Sequence, residues 1–398
     1  MIVRQFLHWV RAARPGERAE ATSALARAYL HSDLSVDDLA AAEGAMIMLL
    51  DDPSPLVRQA MADVFASSLK APPVVVHALA GDQFEVAQPL LDRSPLLGDD
   101  DLVDLIKAGK PQVQLAIAGR PLLTTTVAAT IAEEATAEAC LTLLENSEAN
   151  ITLSSVERII DRFGHLAPVR ENLLARDDLP MSMRQALLSK LSRTLAGFVT
   201  ERQWLGPQHA EYAAREACEK ATLALAAETP YEEVGELVQH LRRSGQLTAG
   251  MLLRGLLSGN VVLFEEALAE LSQLSIDRVT GHVHDKNLAG FRALYLKAEL
   301  PEIAYPAFRA ALTALREGVL VGESGGAARL KRRMVERVID LCAAEPCDTA
   351  LFALLRRFAV EAAREEARLF CDDLVADAAI GARRPAMTPA ITDARVAA

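Results

Sequence analysis

Two histidines beside an aspartate are the side chains best suited to metal chemistry in this chain. His282 and His284 lie directly before Asp285, and imidazole and carboxylate groups are common zinc ligands. Residues i and i+2 of a helix point to different sides, so one ion could hardly take both histidines. We therefore interpret these side chains as structural, and the sequence predicts no metal site.

Two acidic runs offer paired carboxylates, the groups that general acid–base catalysis uses. Asp99, Asp100 and Asp101 form one run, and Asp177 with Asp178 forms the other. Both stand at expected helix starts, where negative charge complements the helix dipole, so helix capping is the favoured interpretation.

The common signatures of phosphate binding and hydrolysis are nearly absent from the sequence. The patterns G-x-x-x-x-G-K-[ST], G-x-G-x-x-G and H-E-x-x-H do not occur, and G-x-S-x-G occurs only as Gly322-Glu323-Ser324-Gly325-Gly326, where no strand is expected before it. The glycine-rich stretch 322–326 is not a phosphate loop, because no strand is expected before it and no Lys-Ser or Lys-Thr follows. We predict no catalytic residue, no cofactor and no enzymatic activity.

Basic side chains crowd one predicted helix near the C-terminus. They could bind an acidic partner, a phosphate or a nucleic acid. Alternatively, they form a solvated face that Glu336 and Asp340 balance, because charge runs are common on helix surfaces. The residues are Arg329, Lys331, Arg332, Arg333 and Arg337.

Five further arginines in the second half of the chain support an alternative function. They could bind a small anionic regulator such as a nucleotide, which would raise the melting temperature by mass action. These residues are Arg242, Arg243, Arg254, Arg278 and Arg292.

The composition favours closely packed helices that would hold these side chains. Hydrophobic residues make up 51% of the 398 residues and aromatic residues only 5%. Alanine and leucine, the best helix formers, dominate the apolar content, whereas sheets favour β-branched and aromatic residues. The formal net charge of −12 resides in the first 320 residues. We therefore expect no nucleic-acid partner, since an acidic surface repels phosphate backbones.

The cysteines indicate a reducing compartment. There are five, an odd number without a C-x-x-C pair: Cys140, Cys218, Cys342, Cys347 and Cys371. This usage argues against a disulfide scaffold, and we expect small apolar core residues in a cytoplasmic protein. No apolar run reaches the roughly 18 residues that a membrane span needs.

An amphipathic helix is expected over about residues 2–14. Phe6, Val10 and Ala13 share one side, and several arginines flank it. Such a helix could contact a membrane surface. We favour a terminal cap on a helical array, because arrays need an atypical end repeat.

A short phrase recurs in the first half of the chain. Asp51-Asp52-Pro53-Ser54-Pro55-Leu56-Val57-Arg58 places a turn and a polar cap before an apolar helix face, and similar phrases begin at Gly81 and Gly109. Their valines Val57, Val86 and Val113 are 29 and then 27 residues apart, and this recurrence predicts stacked helix pairs. Examples of the expected helices are 84–93, 111–118 and 287–299.

The chain divides into five predicted regions. They are HEAT-like helical repeats over 1–178, a second repeat region with longer helices over 179–317, a glycine-rich connector over 318–326, a helical appendage over 327–380 and a disordered tail over 381–398. The fold class is all-α, a solenoid-like stack of antiparallel helix pairs with a short helical C-terminal appendage.

Two resemblances support this fold. The phrase at 51–58 is similar to HEAT-type repeats, in which a turn with Asp and Pro precedes a Val-Arg helix start. A second stretch resembles a bacterial family called domain of unknown function 2336. It begins at Gly259, continues through Arg278-Val279 and His284-Asp285, and reaches Gly290-Phe291-Arg292-Ala293-Leu294-Tyr295. The resemblance implies an all-helical repeat fold and transfers no activity and no catalytic residues.

These features favour a non-catalytic protein-interaction scaffold or adaptor, in a bacterial signalling or localisation pathway, whose partner is another protein. The alternative is the anion sensor that uses the arginines of the second half. A helical-repeat nucleic-acid enzyme is a third hypothesis, which the net charge and the few aromatic residues oppose.

Overall fold

A computed structural model describes residues 9–10, 12–285, 288, 290–318, 326–343 and 348–382. Within those residues the protein contains twenty-one α-helices and one short 3-10 helix, without a strand. The predicted all-α class is confirmed. The described residues form two compact units, one drawn from 1–179 and 186–211 and the other from 180–185 and 212–398. The two long helices α12 and α13 contribute to both.

The helices of the first unit are short, and proline begins several of them. Proline suits the first helical turn because that turn needs no backbone donor. The bounds are α1 Pro15–His31, α2 Val36–Leu49, α3 Pro55–Phe65, α4 Pro73–Ala80, α5 Phe84–Arg93, α6 Asp99–Lys107, α7 Pro111–Ala118, α8 Thr125–Glu134, α9 Ala137–Glu145, α10 Leu153–Phe163 and α11 Ala167–Leu174. The long helices that follow are α12 Met181–Glu201 and α13 Pro207–Glu228.

The second unit contains the remaining helices. They are α14 Tyr231–Arg243, α15 Ala249–Leu257, α16 Val261–Ser272, α17 Ile276–His284, α18 Phe291–Lys297, the 3-10 turn Glu302–Ala304, α19 Tyr305–Arg316, α20 Gly326–Ala343 and α21 Thr349–Ala382. Helix α18 is shorter than the predicted 287–299. Leu288 has a φ of 52°, and Gly290 precedes the helix as its cap, so the backbone leaves the helical region before Phe291.

Alternate helices of the first unit lie side by side in two layers. Helices α1, α3, α5, α7, α9 and α11 contact one another in that order, and α6, α8 and α10 do the same in the other layer. Consecutive helices join the layers. Each helix therefore buries one apolar stripe against its neighbours in the stack, for example Val57, Met61 and Phe65 of α3.

Aspartates in the recurrent turns bind arginines of the preceding repeat. Asp52 accepts two hydrogen bonds of 2.8 Å from Arg18 of α1. Asp82, in the next copy of the turn, accepts from Arg58 of α3 at 2.5 and 3.1 Å. The third copy has Lys110 in the turn instead, so this aspartate–arginine series covers the first copies only.

A buried and a half-buried arginine join later repeats through backbone carbonyls. Arg120, which is 8% exposed, donates to the carbonyls of Leu90, Leu91 and Ser94 at the end of α5. Arg162 donates to the carbonyls of Ala132 and Ala135 at the end of α8. A helix C-terminus carries unpaired carbonyls and partial negative charge, so a guanidinium satisfies both.

Aromatic rings fill the core of the second unit. Phe264 stacks on Phe308 with ring centroids 5.5 Å apart, and Tyr295 contacts Phe291, Tyr305 and Phe308 at 5.2–6.0 Å. The Tyr295 hydroxyl donates to the carbonyl of Pro301 at 2.7 Å, and burial raises the pKa of that hydroxyl. Phe264, Phe291 and Tyr295 of this cluster lie in the stretch on which the family resemblance depends.

The last described helices pack into that same core. Met334, Val338 and Cys342 of α20 and Leu355 and Phe358 of α21 are buried in one apolar cluster with residues of α14 to α19. The predicted appendage is therefore part of the second unit. The glycine-rich connector apart from its ends, Cys347, most of the N-terminal helix and the tail after 382 lie outside the described residues.

None of the described helices combines the length and the apolarity that a membrane span requires.

Candidate interaction surfaces

The predicted basic segment lies on α20, where three of its five cations pair with carboxylates. Lys331 donates to Glu365 at 2.9 Å. Arg332 donates to Glu336 at 2.8 Å and to Glu366 at 3.1 Å. These carboxylates raise the pKa of Arg332. The pairs with α21 hold the two helices side by side.

The other cations of that segment differ in what they contact. Arg337 binds the Glu317 carboxylate through two hydrogen bonds of 2.8 and 2.9 Å. Arg329 and Arg333 are exposed, and in the described part of the chain neither has a carboxylate partner. The segment therefore keeps two uncommitted positive charges, far fewer than its sequence indicates.

The second predicted set of arginines is dispersed over several environments. Arg242 binds Glu270 through its carboxylate at 2.7 Å and its carbonyl at 3.0 Å. Its neighbour Arg243 lines an open groove with Gln239 and Glu270, between α14 and α16. Arg278 is exposed on α17. Arg292 lies over the ring of Tyr305, 5.9 Å from its centroid.

Arg254 differs from the other predicted arginines because it is buried within an ionic cluster. Its side chain is 5% exposed. Its guanidinium lies 3.4 Å from Glu219, 3.4 Å from Glu361 and 4.0 Å from Glu216, and 4.7 Å from the ring centroid of Phe358. The cluster connects α13, α15 and α21 within the second unit.

The pKa values of two of those carboxylates shift in opposite directions. The hydrogen bond with Glu361, together with nearby Lys220 and Arg254, lowers the pKa of Glu216 to about 2. Burial and the hydrogen bond to Glu216 raise the pKa of Glu361. A proton that resides on Glu361 therefore reduces the repulsion between the two side chains.

The histidine pair has separate neighbours. His284 Nε2 lies 2.8 Å from Glu265 Oε1, whereas the His282 ring packs so closely against Gly290 that a Cβ there would lie 2.2 Å from Nδ1. Among the described residues, no three His, Cys, Asp or Glu side chains converge on a metal position.

The first acidic run occupies a helix start, as the sequence predicts, whereas Asp177 and Asp178 lie in the turn between α11 and α12. Asp99, Asp100 and Asp101 form the first turn of α6, and Asp101 accepts from the Gly98 backbone at 3.0 Å. Asp178 pairs with Arg176.

An exposed aromatic surface, which the sequence analysis missed, lies where α12 ends. Its residues are Leu195, Phe198, Arg202, Trp204 and Leu205, all within the first unit; we call it the tip surface. The exposed fractions of Trp204 and Phe198 are 64% and 43%. Their rings meet edge to face with centroids 5.7 Å apart, and the Arg202 guanidinium lies 4.8 Å from the centroid of the Phe198 ring.

Backbone geometry at the helix end places Trp204 on this surface. Gln203 has a φ of 57°, its N–H donates to the Thr200 carbonyl, and the Trp204 N–H donates to the Val199 carbonyl, each at 3.0 Å. This is the Schellman arrangement, in which the residue after the left-handed position packs back on the last turn. Trp204 is therefore held against Phe198 while its ring faces solvent.

The sequence contains one signal that could have located the tip surface. Leu195, Phe198 and Arg202 follow helical spacing i, i+3 and i+7, so they share one face of α12 near its end. Large apolar residues that share a helix face are a mark of an interaction surface when no other helix covers them.

The whole fold described above, a two-layered helical stack followed by an aromatic-cored helical unit, defines an all-helical repeat class. A family model described as an uncharacterised protein conserved in bacteria, domain of unknown function 2336, matches residues 86–347. The chain belongs to this family. No curated protein and no solved structure matches it.

Proposed function

We propose that this protein is a non-catalytic scaffold or adaptor that binds another protein, in a bacterial signalling or localisation pathway. The observation that carries the proposal is the tip surface. Tryptophan and arginine are enriched in the residues that dominate binding energy, and soluble proteins rarely expose a contiguous apolar patch without a use for it.

The chemistry of the tip surface fits a helical or loop segment of a partner. The two rings and the two leucines provide apolar area, and Arg202 provides one charge that has no carboxylate partner among the described residues. Because Phe198 and Trp204 are already held in contact, binding would order few additional side chains, which reduces its entropic cost.

Site-specific crosslinking in the native cell tests the proposal. A photoreactive phenylalanine analogue in place of Trp204 should form a crosslink to one discrete protein, and Phe198→Ser in the same chain should abolish it. Leu153 provides the matched control, because it is also apolar, 55% exposed and within the first unit. An identical crosslink from position 153, or none from position 204, contradicts the proposal.

The anion-sensor alternative rests on a specific feature, the exposed Arg243 beside the open groove with Gln239. Two of its other arginines, Arg242 and Arg254, already bind glutamates and would have to exchange them for the ligand. Pyrophosphate should therefore leave the melting temperature unchanged relative to an equal ionic strength of chloride. A pyrophosphate-specific rise that Arg243→Gln removes would favour the sensor instead.

A further inference from the structure

Helix α21 carries two apolar stripes, and the second unit buries only one of them. Leu351, Leu355, Phe358 and Ala362 form the buried stripe, each at most 5% exposed. They follow a spacing of four, three and four residues, which lines one face of a helix.

The second stripe follows the same kind of spacing on another face of the helix. It consists of Val360, Ala363, Ala367, Phe370 and Leu374, and we call it the outer stripe. Val360 is 51% exposed, Phe370 62% and Leu374 53%. Alternation of three and four residues over this length is the pattern of a two-helix seam.

Helix α21 also continues beyond the helix that packs against it. Lys331 and Arg332, near the start of α20, pair with Glu365 and Glu366. Helix α20 begins at Gly326, whereas α21 continues to Ala382. In antiparallel helices the first residue of α20 therefore lies opposite about residue 372, and at 1.5 Å per residue about 15 Å of α21 continues past it.

The sizes of four of the five outer-stripe residues, all but Val360, make that part of the stripe complementary to its own reverse. Along the chain, the two small residues Ala363 and Ala367 are followed by the two large residues Phe370 and Leu374. When a second α21 lies antiparallel, Phe370 of one copy faces Ala367 of the other, and Leu374 faces Ala363. Large side chains opposite small ones interdigitate at normal packing density.

We propose that the outer stripe of α21 is a homodimer interface, and that its occupant is the antiparallel outer stripe of a second copy of this chain. A two-fold axis repeats each of the two large–small contacts, so the pairing contains four of them. The order of small and large residues reverses about one point of the stripe, between Ala367 and Phe370, as a two-fold axis requires. A surface for a different protein has no such requirement, which favours a second copy as the occupant.

Sedimentation equilibrium of the full chain, with size-changing variants, tests the interface. The native chain should dimerise. Phe370→Ala leaves a gap and Ala367→Phe places two rings opposite each other, so each should weaken dimerisation by about tenfold or more, since each change occurs twice in the dimer. The double variant Ala367→Phe with Phe370→Ala exchanges the two sizes and should restore the native affinity.

The controls separate this interface from other causes. Val375 is 71% exposed but lies about 100° around the helix from Leu374, so Val375→Ala should leave dimerisation unchanged. Circular dichroism should show the native helix content in every variant. A native chain that is monomeric at about 100 µM, a range in which even weak self-association is seen, overturns the proposal. So does a dimer that neither single substitution weakens, or a double variant that stays weak.

Discussion

The two units of this protein solve the same packing problem with different interactions. The first is a stack of short helices whose neighbours are joined by arginines bound to turn aspartates or to helix-end carbonyls. The second has a core of stacked aromatic rings and a buried cluster of charges around Arg254. Repeats need only local contacts between adjacent copies, whereas a non-repeating unit depends on contacts between residues distant in sequence.

Removal of Arg254 should produce the largest effect, because the second unit depends on one buried guanidinium. Arg254→Met removes the guanidinium that Glu216, Glu219 and Glu361 surround. Loss of one partner from a buried ion pair costs about 3 kcal/mol or more. The matched control is Arg242→Met, whose exposed pair with Glu270 should contribute about 1 kcal/mol or less. Urea denaturation compares the two variants.

Equal midpoints for the Arg254→Met and Arg242→Met variants would show that the charged cluster is not important for the stability of the second unit.

Removal of Arg120 should have the next largest effect, because it frees three carbonyls in the first unit. Arg120→Met leaves the carbonyls of Leu90, Leu91 and Ser94 without that donor, and unsatisfied buried groups cost about 1–3 kcal/mol. Arg158 is the control, since it pairs with Glu133 in solvent, with side chains 45% and 53% exposed. Arg158→Met should change the free energy of unfolding by about 1 kcal/mol at most.

Hydrogen exchange can locate the loss caused by Arg120→Met. Faster exchange at the end of α5 is expected, and faster exchange confined to other helices would contradict this account of the arginine.

The smallest predicted effect is a pH dependence confined to the second unit. The folded state raises the pKa of Glu361 above its ordinary 4.5. The stabilisation from this group is therefore complete below about pH 4.5, and it is lost as the pH rises through the folded-state pKa. Glu361→Gln is always neutral, so the native chain should lose stability relative to this variant as pH rises above about 4.5.

Glu216 titrates with the opposite sign. Its pKa of about 2 means that its contribution is present above its ordinary 4.5 and is lost as pH falls towards 2. Unfolding measured across pH for the native chain and for Glu361→Gln checks both signs. A constant difference between the two chains would contradict the raised pKa of Glu361.

Much of the local structure could be predicted from the sequence. The expected helices 84–93 and 111–118 coincide with α5 and α7, because a turn residue, a cap or proline, and an apolar stripe all lie within a few adjacent residues. The capping of α2 by Ser35, which accepts from the Asp38 N–H at 3.2 Å, is similarly local. The family resemblance is also confirmed, since it depends on contiguous residues.

The candidate surfaces were much harder to predict. The sequence groups Arg329 to Arg337 as one basic patch, but glutamates 20 and 34 residues away pair with most of it. By sequence alone Arg254 is grouped with exposed arginines, although it is buried. Trp204 is overlooked, since its exposure depends on which helices lie nearby. Whether any of these arginines binds a partner stays a prediction.

The sequence by itself determined that the chain is helical, where most helices begin, and which family it belongs to, because helix periodicity and capping are encoded in neighbouring residues. Only the tertiary structure decided which charges are paired, which apolar stripe is buried and which remains open at the tip surface and along α21. Those properties depend on residues that are distant in sequence and adjacent only after folding, so no local pattern contains them.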